Sequence, residues 1–92
     1  KLGAFVYDKE IVKYTKSNKN IEKGLYVTDV SKLGAADKAG IRKGDVLISV
    51  DGVELYKVTD LRRYIYEKEV GDTVSFIINR NNRIENLKVE LK

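Results

Sequence analysis

The stretch Ala36-Asp-Lys-Ala-Gly-Ile-Arg-Lys-Gly-Asp-Val-Leu-Ile-Ser-Val-Asp-Gly52 constrains this chain more than any other, because it sets a helix, two tight turns and a strand in immediate succession. Ala36 and Ala39 are small residues at helical spacing, and Gly40 follows where a helix end takes φ > 0 without a Cβ penalty. Ile41 is apolar just past that stop, and Gly44 before Asp45 gives a second tight turn. Val46, Ile48 and Val50 alternate with Leu47 and Ser49, which reads as a central strand. Asp51-Gly52 favours a type I′ hairpin turn, so the chain is expected to return through a short strand over Val53–Leu55.

The flanking segments read as strands and short helices. Leu2-Gly-Ala-Phe-Val-Tyr7 is a strand begun through a glycine. Asp8 is expected to cap a short helix over about residues 9–15, with Ile11, Val12 and Tyr14 on its apolar side, before Ser17–Asn20 breaks it. Gly24–Val30 reads as a strand with Leu25, Val27 and Val30 facing inward. Thr59 or Asp60 opens a second helix in which Leu61 and Ile65 stand one turn apart, with Val58 just before them. Val70-Gly-Asp72 closes it, and Thr73–Ile78 and Ile84–Leu91 alternate as two strands around an Arg80-Asn-Asn-Arg83 turn. The fold class is α+β, with no internal repeat, linker or low-complexity tract.

Composition removes most catalytic chemistry. A chain of 92 residues builds one small core, burying about 60–65% of the surface that its unfolded form exposes. Apolar residues at 42% and charged residues at 35% place it among folded domains. No apolar run approaches the roughly 20 residues that cross a bilayer, and no targeting segment is read at the first strand, so the chain is expected neither to span nor to target by itself. Cysteine and histidine are both absent, which excludes disulfides, thiolate ligands, a Ser-His-Asp triad and an imidazole proton shuttle. Ser17, Ser31, Ser49 and Ser75 therefore have no histidine to activate them. No enzyme activity, cofactor or metal site is expected of this chain. The net charge of +4 comes mostly from residues 1–23, with six Lys against three acids. Lys9, Lys13, Lys16, Lys19 and Lys23 are interrupted by acids and read first as a solvated face. A nucleic-acid partner would call for denser basic clusters interleaved with aromatics, and none is expected.

The order Ala-x-x-Ala-Gly-hydrophobic-x-x-Gly-Asp-x-hydrophobic-x-x-hydrophobic-Asp-Gly over Ala36–Gly52 resembles that of PDZ domains, specifically the bacterial kind of HtrA (Do-type) serine proteases. The resemblance covers nearly the whole chain. It implies one PDZ domain over residues 1–92: a partly open antiparallel β-barrel or sandwich of five to six strands with two or three short helices, in the circularly permuted, protease-type order that puts the ligand-binding strand first. Leu2-Gly3-Ala4 stands where the family has its hydrophobic-Gly-hydrophobic loop, and Lys1 replaces a residue that is often aromatic. Asp8–Lys13 looks like the family's Thr-Pro-Glu helix without its proline.

What the resemblance implies for function is capture of an extended peptide, usually a free C-terminus, as an added strand between the first strand and the helix near residues 59–67. Strand addition is the family's known mode. The carboxylate would be held by the N–H groups of Leu2, Gly3 and Ala4, which converge only if Gly3 lets the chain bend. Phe5, Val6 and Tyr7 would continue the binding strand, with Leu2, Ala4 and Val6 alternating toward an apolar pocket. Asp60, Arg63, Tyr64 and Glu67 are expected on the groove side of the helix, with Leu61 and Ile65 in the core. Tyr64 stands where a small residue is common, and its ring either narrows the groove or lines it. Plainer readings compete: Gly3 as a strand glycine, Asp60 as a helix N-terminal residue favoured by the macrodipole, Arg62 and Arg63 as solvated, and Tyr7, Tyr14, Tyr26, Tyr56 and Tyr66 at the core edge.

By the same resemblance the chain is a non-catalytic substrate-recognition and regulatory module of an HtrA-like serine endopeptidase, binding exposed C-termini of misfolded proteins in protein quality control. Its partners would be such peptides and the protease domain of the parent. The parent would work outside the cytoplasm, at the cell envelope, membrane-tethered and oligomeric, whereas the isolated domain would be a monomer. Alternatives are the PDZ module of a site-2, C-terminal processing or Lon-like protease or of a secretion scaffold, and, from another class, an anion-binding domain using the N-terminal lysines.

Overall fold

The computed structural model describes residues 2–8 and 24–92; the helix expected over about residues 9–15 lies outside them. Along the described residues run β1 (Ala4–Tyr7), β2 (Leu25–Val30), α1 (Ala35–Ala39), β3 (Val46–Val50), β4 (Val53–Glu54), α2 (Val58–Tyr66), β5 (Thr73–Arg80) and β6 (Arg83–Glu90). All strand pairs are antiparallel, in the order β1-β2-β3-β5-β6 with β4 on β3. The described residues thus form a small α+β fold of six strands and two short helices.

The turn chemistry acts where the residues predict. Asp51 and Gly52 take φ values of 48° and 83° between paired Val50 and Val53, and Asn81 and Asn82 take 52° and 67° between paired Arg80 and Arg83. Both are left-handed pairs of the kind that matches the twist of a hairpin, and Asp and Asn tolerate that region better than other non-glycine residues. Gly40 ends α1 at φ 96°, which frees Ile41 to fold inward, where it is fully buried.

Alternation in β3 is corrected. Leu47 pairs with Ile78 but Ser49 pairs with Ile77, so the register slips between them. The bulge puts Leu47 and Val50 both in the core, leaving Val46 and Ile48 only half-buried. Together with Leu25, Val27, Phe76 and Ile78, they form a core closed by Ala36 of α1 and Leu61 of α2. Each of the Val, Leu, Ile and Phe side chains among them contributes about 1.5–3 kcal/mol by leaving water.

A buried ion pair ties the two ends of the central strands. Asp45, 1% exposed, accepts from Arg80 Nε at 2.8 Å and Nη2 at 2.7 Å, and its Oδ2 also accepts the Arg42 N–H at 2.8 Å. Arg80 Nη2 also reaches the Gly40 carbonyl at 2.7 Å. The fork joins the start of β3, the end of β5 and the end of α1, with every carboxylate oxygen partnered.

Candidate functional site

Among the described residues β1 is the sheet's edge strand: β2 covers one side of it, and α2 runs along the other. At the far end of β1 the Asp8 carboxylate accepts the Val58 N–H at 3.3 Å, which joins the end of β1 to the start of α2. The two elements are therefore antiparallel neighbours, and a groove of about 900 Å³ lies between them. Leu2, Ala4 and Val6 line it from the strand, and Val58, Leu61 and Ile65 from the helix. Its floor is the edge of the core, because Leu2 and Leu61 are buried there and Ala4, Val6, Val58 and Ile65 pack against them.

The loop ahead of β1 is shaped by its own carbonyls. Gly3 has φ 78°, a conformation cheap only for glycine. The Leu2 carbonyl accepts the Ala36 N–H and the Gly3 carbonyl accepts the Ser31 N–H, each at 2.8 Å. In a trans peptide the N–H points opposite to the preceding C=O, so the Gly3 N–H is turned away from α1 and the Ala4 N–H away from β2. Because Gly3 bonds to β2, strand alternation also turns the polar groups of Ala4 and Val6 toward the open edge. Phe5 projects away from the core and is 57% exposed. Phe5 and Tyr7 complete the groove's strand wall.

The helical wall is not the expected one. Val58, Leu61, Arg62 and Ile65 form its stripe, with Tyr66 at its rim, whereas Asp60, Arg63, Tyr64 and Glu67 stand round the helix from it. Both sets have i, i+3, i+4, i+7 spacing, but at about 100° per residue their mean directions are nearly opposite. The groove is an open continuation of the core, so the apolar stripe serves both. Dividing Leu61 and Ile65 into the core from other residues in the groove misread that geometry.

The displaced residues have other work. Asp60 Oδ2 accepts the N–H groups of Tyr56 at 3.0 Å and Lys57 at 2.9 Å, ahead of the first turn of α2. Those hydrogen bonds, Lys57 first, hold its carboxyl below the ordinary range despite a small opposing effect of burial. This agrees with its plainer reading as a helix N-terminal residue. The Tyr64 hydroxyl donates to Asp51 Oδ2 at 2.5 Å, and its ring neither narrows nor lines the groove. Arg63 and Glu67 are exposed. Two of the tyrosines expected at the core edge are more open than that, Tyr56 at 52% and Tyr66 at 90% exposed, and it is Tyr66, not Tyr64, that lines the groove.

Arg62 was missed as a groove residue; its i+4 relation to Val58 was the available signal. Lys68 was missed as well. It lines the groove, with Nζ 4.8 Å from the Tyr64 ring centroid. Contact with the Tyr64 hydroxyl, then its charge relation to the same group, raises the Lys68 pKa.

A model of the PDZ domain family matches residues 12–91. A Do-like HtrA serine protease of Lactobacillus helveticus is 40% identical over 77 residues, which are 84% of this chain and 19% of that protein. A probable periplasmic serine endoprotease, DegP-like, of Bartonella henselae is 44% identical over 69 residues, 75% of this chain and 14% of that protein. The chain thus spans about a fifth or less of these relatives' length. Among solved structures, the HtrA3 PDZ domain bound to a phage-derived ligand, FGRWV, superposes with a TM-score of 0.80 at 17% identity, covering 98% of this chain and 82% of that one. The HtrA-type protease AlgW with a decapeptide gives 0.78 at 23%, covering 98% and 28%. At these identities the superpositions establish fold.

Proposed function

The chain belongs to the PDZ domain family, related to the Do-like HtrA serine proteases, and on that premise we propose that it binds extended peptides by adding them as a strand to β1, with a free C-terminal carboxylate at Leu2-Gly3-Ala4. The observation that carries this reading is the open edge of β1 facing α2 across an apolar groove, with the Gly3 and Ala4 N–H groups turned out of the sheet. An unpaired strand edge offers the peptide its ladder bonds. Charge-assisted bonds from backbone N–H groups to a carboxylate are roughly twice as strong as neutral ones, which fixes the peptide's end. The pocket of Leu2, Ala4, Val6, Leu61 and Ile65 then takes an apolar side chain. Two structural neighbours were solved with peptide ligands, which supports the same use here.

Within a longer protein this module recognises substrates or regulates an HtrA-like serine protease outside the cytoplasm, with β1, the ligand-binding strand, first in the permuted order. The relationship to Do-like proteases, two of them named periplasmic, supports that assignment. The test is an NMR titration of the labelled domain with free-C-terminus peptides and their amidated counterparts. Saturable shifts at Leu2–Tyr7 and Val58–Lys68 that vanish on amidation are expected. Equal shifts with both sets would overturn carboxylate capture, and no shifts with either would overturn the groove's role.

A further inference from the structure

The groove has a charge as well as a shape. Arg62 and Lys68 line it, and no described lining residue is acidic. Three carboxylates that contact α2 or its first turn are engaged there, Asp8 on Val58, Asp60 on the Tyr56 and Lys57 N–H groups, and Asp51 on Tyr64, while Glu67 and Glu69, just past α2, do not line the groove. Lys68 sits over the Tyr64 ring. Arg62, by contrast, stands on the groove face of α2 between Val58 and Ile65.

We propose that Arg62 makes the groove selective for peptides carrying Asp or Glu two residues before the C-terminus, an inference that rests on the strand-addition reading above. The position follows from spacing. β1 and α2 are antiparallel, with Asp8 beside Val58 at one end and the Gly3 loop at the other. A peptide whose last side chain occupies the pocket of Leu2 and Ile65 runs toward Asp8, and its next side chain on the same face lies about 6.8 Å further on. Along α2, Arg62 lies about 4.5 Å and Val58 about 10.5 Å from Ile65. That side chain therefore falls between Val58 and Arg62. An aliphatic stem against Val58 and a carboxylate on the guanidinium, which offers a fork of donors, satisfy both neighbours. A lysine there would meet Arg62 with like charge.

The experiment titrates the domain with three peptides that share an apolar C-terminal residue and differ only in Glu, Gln or Lys two positions before it. Each is measured against wild type, Arg62→Gln and Arg62→Glu by fluorescence anisotropy in low and high salt. Wild type is expected to bind Glu over Gln by about threefold to tenfold at low salt, and Lys weakest, a partly exposed charge pair being modest and screened. Arg62→Gln levels the series and Arg62→Glu inverts it. Equal binding of all three to wild type, with the amidated forms still failing to bind, would overturn the selectivity and leave strand addition standing. A Glu preference that survives in Arg62→Gln would overturn the assignment to Arg62. No binding by any of the three would overturn strand addition, and this inference with it.

Discussion

The Tyr64 hydroxyl donates to the Asp51 carboxylate at 2.5 Å, pinning the middle of α2 to the turn between β3 and β4. The other carboxylate oxygen accepts the Ser75 N–H at 2.6 Å, and the Asp51 N–H donates to the Ser75 carbonyl at 2.8 Å. One aspartate in the left-handed region thus links the hairpin turn, β5 and the helix that forms a groove wall. Partial burial alone would raise the Asp51 pKa. The bonds from Tyr64 and Ser75, helped by the charge of Lys68, outweigh it and hold the group below the ordinary carboxylate range. The same bond, seconded by burial, raises the Tyr64 phenol.

Because Tyr64 braces α2 from outside the groove, Tyr64→Phe should lower the urea midpoint while leaving peptide affinity within about twofold, since exposed polar bonds contribute modestly. Arg62→Ala, on the opposite count, should leave stability nearly unchanged and alter binding. Parallel urea melts and anisotropy titrations of the two variants separate the roles. A large affinity change in Tyr64→Phe would mean that the Tyr64–Asp51 bond sets the width of the groove as well as the stability of α2.

The depressed carboxylates give a pH dependence with a definite sign. Asp51 and Asp60 titrate lower folded than unfolded, so the unfolded state binds protons first as pH falls. Their stabilisation is complete above the unfolded value, about pH 4, and is lost as pH drops through the folded values. Urea midpoints measured from pH 6 down to pH 2 should fall in that window. An Asp51→Asn, Asp60→Asn double variant should be less stable at pH 6 and show a shallower decline.

The Asp45–Arg80 fork predicts the largest single polar effect. Asp45→Asn keeps the volume but removes the charge, leaving Arg80, itself partly shielded at 21% side-chain exposure, without its partner. Losing one member of a buried pair costs about 3–5 kcal/mol; with Arg80 partly solvated and Glu85 at 3.6 Å from it, about 2–4 kcal/mol is expected here. Chemical denaturation at pH 7 measures it, with Arg80→Met, Asp45→Leu as the apolar replacement that should recover part of the loss.

The elements and turns were legible because each depends on residues within a few positions: Asp51-Gly52, Asn81-Asn82 and Gly40 specify local backbone conformations that no partner needs to supply. The family resemblance lay in the same stretch. The strand wall of the groove was legible too, since Leu2, Gly3 and Ala4 precede a period-two strand. The helix wall was not: the apolar stripe of Val58, Leu61 and Ile65 was visible, but that one stripe both closes the core and lines the groove depends on how α2 meets β1, a tertiary fact. The Asp45–Arg80 pair joins residues far apart in the chain, and nothing local distinguishes Asp45 of a Gly-Asp turn from any other turn aspartate. The bulge in β3 was invisible for a similar reason: it is defined by the partner strand, β5.

Two glycines with positive φ separate fold from function. At Gly24, φ 105°, a Cβ would lie 2.6 Å from Val46 Cγ1 and 2.9 Å from the Leu47 carbonyl oxygen, so Gly24→Ala must displace backbone of the central strand. At Gly3, φ 78°, the nearest atoms would be at 3.5 Å or more, an ordinary contact, and only the backbone conformation is strained. Gly24→Ala is therefore expected to cost about 2–3 kcal/mol, combining overpacking with left-handed strain. Gly3→Ala should cost about 1 kcal/mol, yet weaken peptide binding by tenfold or more if the chain relaxes to negative φ and turns the Gly3 and Ala4 N–H groups off the carboxylate. Urea melts and titrations with free and amidated peptides on both variants read the two quantities. A folded Gly3→Ala that binds as tightly as wild type would show that the carboxylate is held elsewhere.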